Sequence, residues 1–176
     1  MNWQKIQEKG QSQQINPILV LGEILQIVFL DAFYQDKLAN DIYFQGGTSI
    51  RLLHNGWRYS EDLDFVSLRA DALSIDKLVR ASFKRSQNTL VQFFGGESFD
   101  FKLKAKPEKP YLKTYWLYLT CVGQPQICRL KLEFAKFAVY QAQNFAVMRP
   151  DLALPITPLV VSESLSEILA DKITAF

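Results

Sequence analysis

Two aspartates, Asp62 and Asp64, stand one residue apart in the apolar run DLDFVSL. The run is typical of a buried strand, in which residues two apart point to the same face. Two carboxylates held side by side repel each other and lose hydration unless a cation lies between them. Mg²⁺ prefers one or two carboxylates plus the oxygens of a bound phosphate. The pair therefore predicts a site for one or two Mg²⁺ ions that carries a nucleotide.

Upstream of the aspartates, two glycines separate a short strand from a helix. Gly46 and Gly47 allow backbone N–H groups to approach a ligand without a Cβ in the way. Thr48 is predicted to cap the following helix, whose free N–H groups and dipole favour an anion. We therefore expect this segment to hold phosphates. A tight turn with a helix cap would also explain the glycines, but it leaves the aspartates unexplained.

A third carboxylate lies in the alternating stretch CRLKLEFAKF. Lys131 and Glu133 face one side of the predicted strand, while Leu130, Leu132 and Phe134 face the other. A glutamate facing the aspartates would be a metal ligand or a general base, and Lys131 would balance phosphate charge. A salt-bridged polar face is the interpretation that the pattern leaves equally open.

The elements that must position these residues follow from apolar periodicity and from glycine and proline breaks. The pattern predicts helices over residues 15–39, 48–55, 71–87 and from Ser162 or Ser164 onward, with Gly56 ending the second. It predicts strands over residues 41–45, 62–68, 99–106, 111–122 and 127–137, and a loop over residues 149–158. This order favours an α+β domain with a mixed β-sheet.

Composition narrows the class of protein. The chain has 176 residues, of which 48% are hydrophobic, so it is long and apolar enough to fold as one domain. The most apolar run is interrupted by Glu23, Gln26 and Asp31, and this favours a buried helix over a membrane span. We therefore expect a cytoplasmic protein without a membrane partner. Cys121 and Cys128 could pair across a hairpin, but without an export signal two free thiols are favoured.

The net charge of +2 is too small to indicate a nucleic-acid-binding protein by itself. Basic residues nevertheless cluster in two places. One cluster contains Lys102, Lys104, Lys106, Lys109 and Lys113, and the other contains Lys77, Arg80, Lys84 and Arg85. Each is interpreted as a solvated face, with an RNA-contacting surface as the alternative.

The stretch GGTSIRLLHNGWRYSEDLDF resembles the first motif of minimal nucleotidyltransferases of the AbiEii/AbiGii toxin group, within the DNA polymerase β-like superfamily. The resemblance is carried by Gly46, Gly47, Thr48, Arg58, Ser60, Asp62 and Asp64. It implies a minimal nucleotidyltransferase fold in which helices flank a mixed β-sheet. It also implies a nucleotidyltransferase domain over residues 1–160, with residues 161–176 as the start of a C-terminal helical region that is truncated here.

The resemblance also assigns roles. The aspartates would bind Mg²⁺, and the Gly-Gly-Thr segment would hold the triphosphate of an NTP. Arg58 and Ser60 would also contact the nucleotide or its phosphates. Arg58 could instead pair with Glu61 or Asp62 and brace the motif.

A later helix of the family contributes a lysine, for which SEILADKITAF offers Lys172. Leu165, Ile168, Leu169 and Phe176 form an apolar stripe on this predicted helix, and Lys172 lies on the stripe. A lysine that faces inward needs an anionic partner. A lysine that extends to solvent is the alternative.

For function, the resemblance implies Mg²⁺-dependent transfer of NMP from an NTP by a toxin of a toxin–antitoxin or phage-defence (abortive infection) system. Its partners would be an RNA acceptor such as tRNA and a cognate antitoxin protein. Two alternatives remain at this point. One is a nucleotidyltransferase that acts on a small molecule, and the other is a regulatory module that binds a nucleotide without turnover.

Overall fold

The computed structural model describes residues 2–95, 99–107, 109, 112–121 and 127–174. Its α-helices are α1 (Trp3–Ser12), α2 (Pro17–Tyr34), α3 (Gly46–His54), α4 (Ala72–Phe94) and α5 (Leu165–Thr174). Its strands are β1 (Tyr43–Gln45), β2 (Asp62–Val66), β3 (Phe99–Ala105), β4 (Leu112–Cys121), β5 (Ile127–Ala135), β6 (Ala142–Ala146) and β7 (Leu159–Glu163). Short 3₁₀ helices span Lys37–Asp41 and Pro150–Leu152. The predicted α+β class is confirmed.

All seven strands form one sheet in the order β3-β4-β5-β2-β1-β7-β6. The β2–β5 and β1–β7 pairs are parallel, and the other neighbours are antiparallel. The sheet is therefore mixed, as predicted. Helix α1 and strands β6 and β7 were not predicted. Strand β6 is almost wholly exposed, and β7 begins just after the predicted loop over residues 149–158 and overlaps the predicted helix start at Ser162.

The hydrophobic core lies between one face of the sheet and the helices α2 and α4. At its centre the ring of Phe65 stacks on Phe134 at 4.8 Å and on Phe33 of α2 at 4.9 Å between centroids. By length and composition α2 could cross a membrane, but 67% of it is buried inside the fold. Burial inside the fold explains why this helix is apolar on nearly all sides. The prediction of a buried core helix agrees with this.

The predicted helix bounds were less accurate than the predicted helices themselves. The helix expected over residues 15–39 ends at Tyr34. A separate 3₁₀ helix follows, with Asp36 as its N-terminal cap. Helix α4 continues to Phe94, because Leu90 and Phe94 extend its buried side, and it stops where Gly95 adopts a left-handed φ of 60°.

Strand β7 crosses the predicted domain boundary at residue 160 and pairs with β1 and β6. Ser164, one of the two predicted caps, does accept a hydrogen bond from the Glu167 N–H of α5 at 3.3 Å. Ser162 lies inside the sheet instead, where its hydroxyl donates to the carbonyl of Phe44.

Cys128 is a free, buried thiol, and burial raises its pKa to about 12. The side chain of Cys121 and the turn between the two cysteines lie outside the described residues.

Candidate active site

Two pairs of charged residues, each predicted to share one side of its own strand, lie on the same face of the sheet. Parallel pairing of β2 with β5 sets Asp62 beside Lys131 and Asp64 beside Glu133. The intervening Leu63 is fully buried on the opposite, core-facing side. Adjacent strands lie about 4.8 Å apart, so the three carboxylates come from neighbouring positions on rigid backbone. Sequence alternation predicted the faces, but only the pairing of β2 with β5 brings them together.

The ammonium of Lys131 lies among these carboxylates. Its Nζ is 2.8 Å from the Glu133 carboxylate and 3.8 Å from Asp62. The hydrogen bond to Glu133 raises the pKa of Lys131, with smaller contributions from the charges of Asp62 and Asp64. Lys131 therefore partly neutralises the cluster.

Net repulsion nevertheless remains at the aspartates. Burial, followed by the negative charges of Asp62 and Glu133, raises the pKa of Asp64 to about 6, against the opposing charges of Lys131 and Lys172. Burial also raises the pKa of Asp62, and the charges of Glu133 and Glu61 add to the rise while Lys131 opposes it. Such a site favours additional positive charge.

The turn from β1 into α3 brings the backbone against Asp64. Gly46 has a φ of 82°, and a Cβ at this position would collide with the Asp64 carboxylate. A Cβ on Gly47 would come to 3.3 Å from the Ser60 hydroxyl, a tighter contact than most side chains tolerate. Glycine at position 46 is therefore required by the close approach of an aspartate as well as by its backbone angle.

The predicted capping role of Thr48 is wrong. Helix α3 already begins at Gly46, with Gln45 at the cap position and no side-chain cap. Thr48 is fully buried, and its hydroxyl donates to the carbonyl of Asp62. The residue thereby ties α3 to β2, and only its backbone N–H stays at the helix N-terminus.

The other end of α3 differs slightly from the prediction. Asn55 takes the left-handed conformation, with a φ of 55°, one residue before the predicted stop at Gly56. The Gly56 N–H then donates to the carbonyl of Ile50 at 3.0 Å.

Ser60 and Arg58 differ in placement. Ser60 is partly buried beside Gly47, and its carbonyl accepts a hydrogen bond from the Gln26 side chain at 2.7 Å. Arg58 is exposed in the loop between α3 and β2. Within the described ranges no ion pair joins it to Glu61 or Asp62. The structure therefore brings Ser60, but not the Arg58 side chain, against the glycine turn.

A cleft of about 750 Å³ opens beside these residues. Its polar lining residues are Gln45, Gly46, Asp64, Glu133, Asp171 and Lys172. Its apolar lining residues are Phe65, Leu112, Ala135, Phe137, Ala138, Tyr140 and Ile168. Phe137 and Tyr140 are 61% and 88% exposed, which leaves two ring faces open to a ligand. The cleft has the size and the mixed lining of a small-molecule site.

Lys172 is exposed on the wall of this cleft, and its charge lowers the pKa of Asp64. The predicted apolar stripe of its helix is only partly correct. Ile168 is buried, whereas Leu165 and Leu169 are 37% and 46% exposed, and Phe176 lies outside the described residues. Lys172 therefore reaches the site from the rim of the cleft rather than from the core.

Sequence reasoning missed a second buried carboxylate, Glu163. The β1–β7 register places it beside Gln45, which itself pairs with Asp64, so Glu163 lies on the same sheet face as the aspartates. It is 1% exposed, and in the part of the chain that the structure describes its Oε2 has no hydrogen-bond partner. Burial, followed by the charges of Asp171 and Glu167, raises the pKa of Glu163 to about 7. The alternation of LVVSE is the signal that could have revealed it.

This raised pKa predicts a pH-dependent stability. Because the folded state holds the Glu163 proton more tightly than an ordinary glutamate of pKa 4.5, the free energy of unfolding falls as pH rises from about 4.5 to about 7. A glutamine does not ionise, so Glu163→Gln is expected to be more stable than the unchanged protein at about pH 8, by on the order of 1–3 kcal/mol. Urea unfolding at about pH 5 and about pH 8 measures this, with the exposed Glu8→Gln as control. An equal effect of Glu163→Gln at both pH values would contradict it.

A buried ion pair braces the motif helix and was also missed. The Arg51 guanidinium of α3 donates to the Glu23 carboxylate of α2 at 3.0 and 3.2 Å and lies 3.5 Å from the centre of the Tyr59 ring. Arg149 contacts the same carboxylate. In the sequence Glu23 only interrupts an apolar run, although a charge in a buried helix does predict a buried partner.

The carboxylates suit a divalent cation in part. Among the described residues no three His, Cys, Asp or Glu side chains are arranged as a metal-ligand set. Asp62 and Asp64 nevertheless offer hard oxygen donors on one strand, with pKa values raised first by burial and then by neighbouring negative charge. Mg²⁺ needs no more than this from the protein when phosphate oxygens and water complete its shell. The pair therefore fits Mg²⁺ bound together with a nucleotide.

Comparison with known proteins agrees with this geometry. The family model described as "Nucleotidyl transferase AbiEii toxin, Type IV TA system" matches residues 28–176. Two Helicobacter pylori crystal structures share the fold: JHP933, at 15% identity and a TM-score of 0.61, and a protein described as a nucleotidyltransferase, at 13% and 0.60. Each covers 90% of this chain, which spans 57% and 59% of their lengths. Curated proteins gave no match.

Proposed function

The chain belongs to the AbiEii family of nucleotidyl transferase toxins of type IV toxin–antitoxin systems, and from this we propose that it transfers NMP from an NTP to an acceptor hydroxyl in a Mg²⁺-dependent reaction. One observation supports this most strongly. Asp64 and Glu133 are paired neighbours that line a cleft which Lys172 also lines, and Asp62 lies two residues along β2 on the same face of the sheet. The acceptor we propose is RNA, with tRNA as the first candidate.

The cleft suggests how the nucleotide lies. The triphosphate would rest at the N-terminus of α3, where the N–H groups of Gly46, Gly47 and Thr48 favour an anion, with Ser60 beside them. Lys172 would contact the phosphates from the opposite wall, and Arg58 would reach them only by moving from its exposed position. The base would lie against the rings of Phe137 and Tyr140, which are among the apolar residues that line the cleft.

The reaction would break one bond and form another at the α-phosphorus. The acceptor oxygen attacks, the bond to the bridging oxygen breaks, and pyrophosphate leaves with its electron pair. Mg²⁺ held by Asp62 and Asp64, as one or two ions, would supply neutralisation of the phosphate charge. Glu133 would accept the proton of the attacking hydroxyl or complete the metal shell. Lys131 would exchange its carboxylate contacts for a phosphate contact.

The members of the family are nucleotidyl transferase toxins of toxin–antitoxin systems, which implies an antitoxin as partner. For this chain we propose a cytoplasmic toxin restrained by a cognate antitoxin, and a role in phage defence by abortive infection as the biological outcome. Restraint by a cognate antitoxin would be detected as rescue of growth when the antitoxin is expressed together with the toxin.

The direct test incubates the protein with Mg²⁺, total RNA and each α-labelled NTP in turn, beside an Asp62→Asn/Asp64→Asn control. We expect label in RNA with the unchanged protein only, and loss of labelling when Mg²⁺ is chelated. Mg²⁺-dependent NTP binding without any labelled product would indicate a nucleotide-binding module instead. Absence of both binding and transfer would contradict the proposal.

A further inference from the structure

The open face of the sheet carries a second group of residues that the reaction chemistry does not use. Trp116 and Tyr118 of β4 lie between Lys102 and Lys104 of β3 on one side and Arg129 of β5 on the other. We call these five residues the aromatic–basic face. Alternate residues of the same strands, such as Leu117 and Leu130, are buried against the helices.

The rings and cations of this face contact one another. The rings of Trp116 and Tyr118 lie 6.4 Å apart with an interplanar angle of 26°. Lys104 lies 5.4 Å from the centre of the Tyr118 ring, and Lys106 lies 5.5 Å from that of Trp116. Lys102 and Arg129 are exposed beside them, Lys102 with Asp100 at 3.2 Å. The face therefore offers two roughly parallel rings edged by positive charge.

The aromatic–basic face is continuous with the candidate active site. Strand register forms a row across the sheet from Lys104 through Trp116 and Lys131 to Asp62. Three strand spacings make this row about 14 Å long, the span of about two to four stacked nucleotides. A chain lying along the row would therefore end at the carboxylates.

The other basic cluster is not comparable. Its residues lie on α4, on the opposite side of the sheet, where Arg80 pairs with Asp76 at 2.7 Å. Arg85 donates to the carbonyl of Ala32 at 2.8 and 3.0 Å. Lys113 of the first cluster also turns to that side and donates to the carbonyl of Ala72. The structure thus separates an aromatic–basic face from lysines and arginines with structural contacts.

We propose that the aromatic–basic face binds single-stranded RNA and leads its terminal hydroxyl to Asp62. Bases would stack on Trp116 and Tyr118, and Lys102, Lys104 and Arg129 would contact phosphates. Trp116 and Tyr118 are half-buried, and stacking on their open faces requires bases that are not already paired, which distinguishes a single strand from a duplex. An acidic protein could also contact the rings and cations, but the row of residues that ends at the carboxylates favours a chain whose terminus is the acceptor. The proposed binding of RNA does not depend on catalysis. The role of that RNA as acceptor rests on the transferase activity proposed above.

The test measures binding of a fluorescent single-stranded RNA by anisotropy, over a range of salt concentrations. Trp116→Ala/Tyr118→Ala is expected to weaken binding at least about tenfold, and Trp116→Phe, which keeps a ring, to weaken it much less. Lys102→Gln/Lys104→Gln should lower the slope of log affinity against log salt by about 0.7 per lost phosphate contact. The matched control Lys77→Gln/Lys84→Gln, at exposed positions of α4, should change neither quantity. Thermal unfolding of each variant confirms that it is folded.

Equal weakening by the α4 control, full binding by the Trp116→Ala/Tyr118→Ala variant, or tighter binding of duplex RNA would overturn the proposal. The catalytic control Asp62→Asn/Asp64→Asn should still bind RNA. Normal label transfer without dependence of binding on the aromatic–basic face would overturn this inference and leave the transferase intact. Binding that depends on this face, in a protein that transfers no label, would support it and contradict the transferase.

Discussion

Asp64→Asn is expected to lower nucleotide transfer at least about a hundredfold while making the protein more stable near neutral pH. Asn keeps the shape of the side chain but supplies no negative charge, so it cannot neutralise a cation that carries the triphosphate. The lost charge is also the one that the folded state tolerates poorly, first because Asp64 is largely buried and then because Asp62 and Glu133 stand beside it.

The stability part of this expectation follows from the pKa of Asp64. Its folded-state value of about 6 exceeds the ordinary 3.8, so the free energy of unfolding falls as pH rises between these values. Asn removes this loss, and above about pH 6 the variant should be more stable by on the order of 2 kcal/mol. Below about pH 4, where the aspartate is protonated in both states, the difference should disappear.

Radiolabel transfer and urea unfolding of the same preparations measure the two effects. Asp41→Asn is the matched control, because Asp41 is exposed, does not line the cleft and, among the described residues, pairs with the exposed Arg69 at 3.7 Å. Activity within a few-fold of the unchanged protein after Asp64→Asn would contradict the assignment of Asp64. A lower stability of the Asp64→Asn variant at neutral pH would contradict the raised pKa of Asp64.

Gly46→Ala is expected to remove activity by displacing Asp64. The left-handed backbone at φ 82° disfavours alanine by about 1–2 kcal/mol, and the new methyl group would also collide with the Asp64 carboxylate. The side chain or the turn must therefore move, and both carry the candidate site. We expect transfer to fall at least about a hundredfold, because misplacement by about 1 Å is enough for that loss.

Gly95→Ala separates the two causes. Gly95 also has a positive φ, of 60°, but a Cβ there would meet no atom of the described residues within 4 Å. This control should lose stability through backbone strain alone and keep its activity. Gly47→Ala should be intermediate, since only the Ser60 hydroxyl, at 3.3 Å, must give way. Equal activity of the Gly46→Ala and Gly95→Ala variants would show that contact with Asp64 is unimportant.

These expectations share one physical feature, which is that the site stores unfavourable charge. Asp64 and Glu163 are both held at raised pKa on the same face of the sheet. Relieving either charge should stabilise the protein, whereas only the first is expected to abolish catalysis. A site prepared for a polyanion and its metal is expected to trade stability for function in this way.

The sequence by itself determined the motif and the faces of its strands. Alternation placed Asp62 and Asp64 opposite Leu63, and glycine chemistry placed a turn before α3, because these properties depend only on neighbouring residues. The same local rules predicted the α+β class, and the resemblance carried by the motif gave the family.

Other features depended on contacts between residues distant in the chain. Parallel pairing of β2 with β5 set Glu133 beside Asp64, and burial turned Thr48 from an expected cap into a brace. Glu163 lies on the same sheet face as Asp62 and Asp64 because β7 pairs with β1. Register between distant strands also distinguished the aromatic–basic face from the arginines of α4. Pairing partners and burial are properties of the whole fold, since each depends on which distant segment supplies the neighbour, and periodicity along one segment carries no information about that choice.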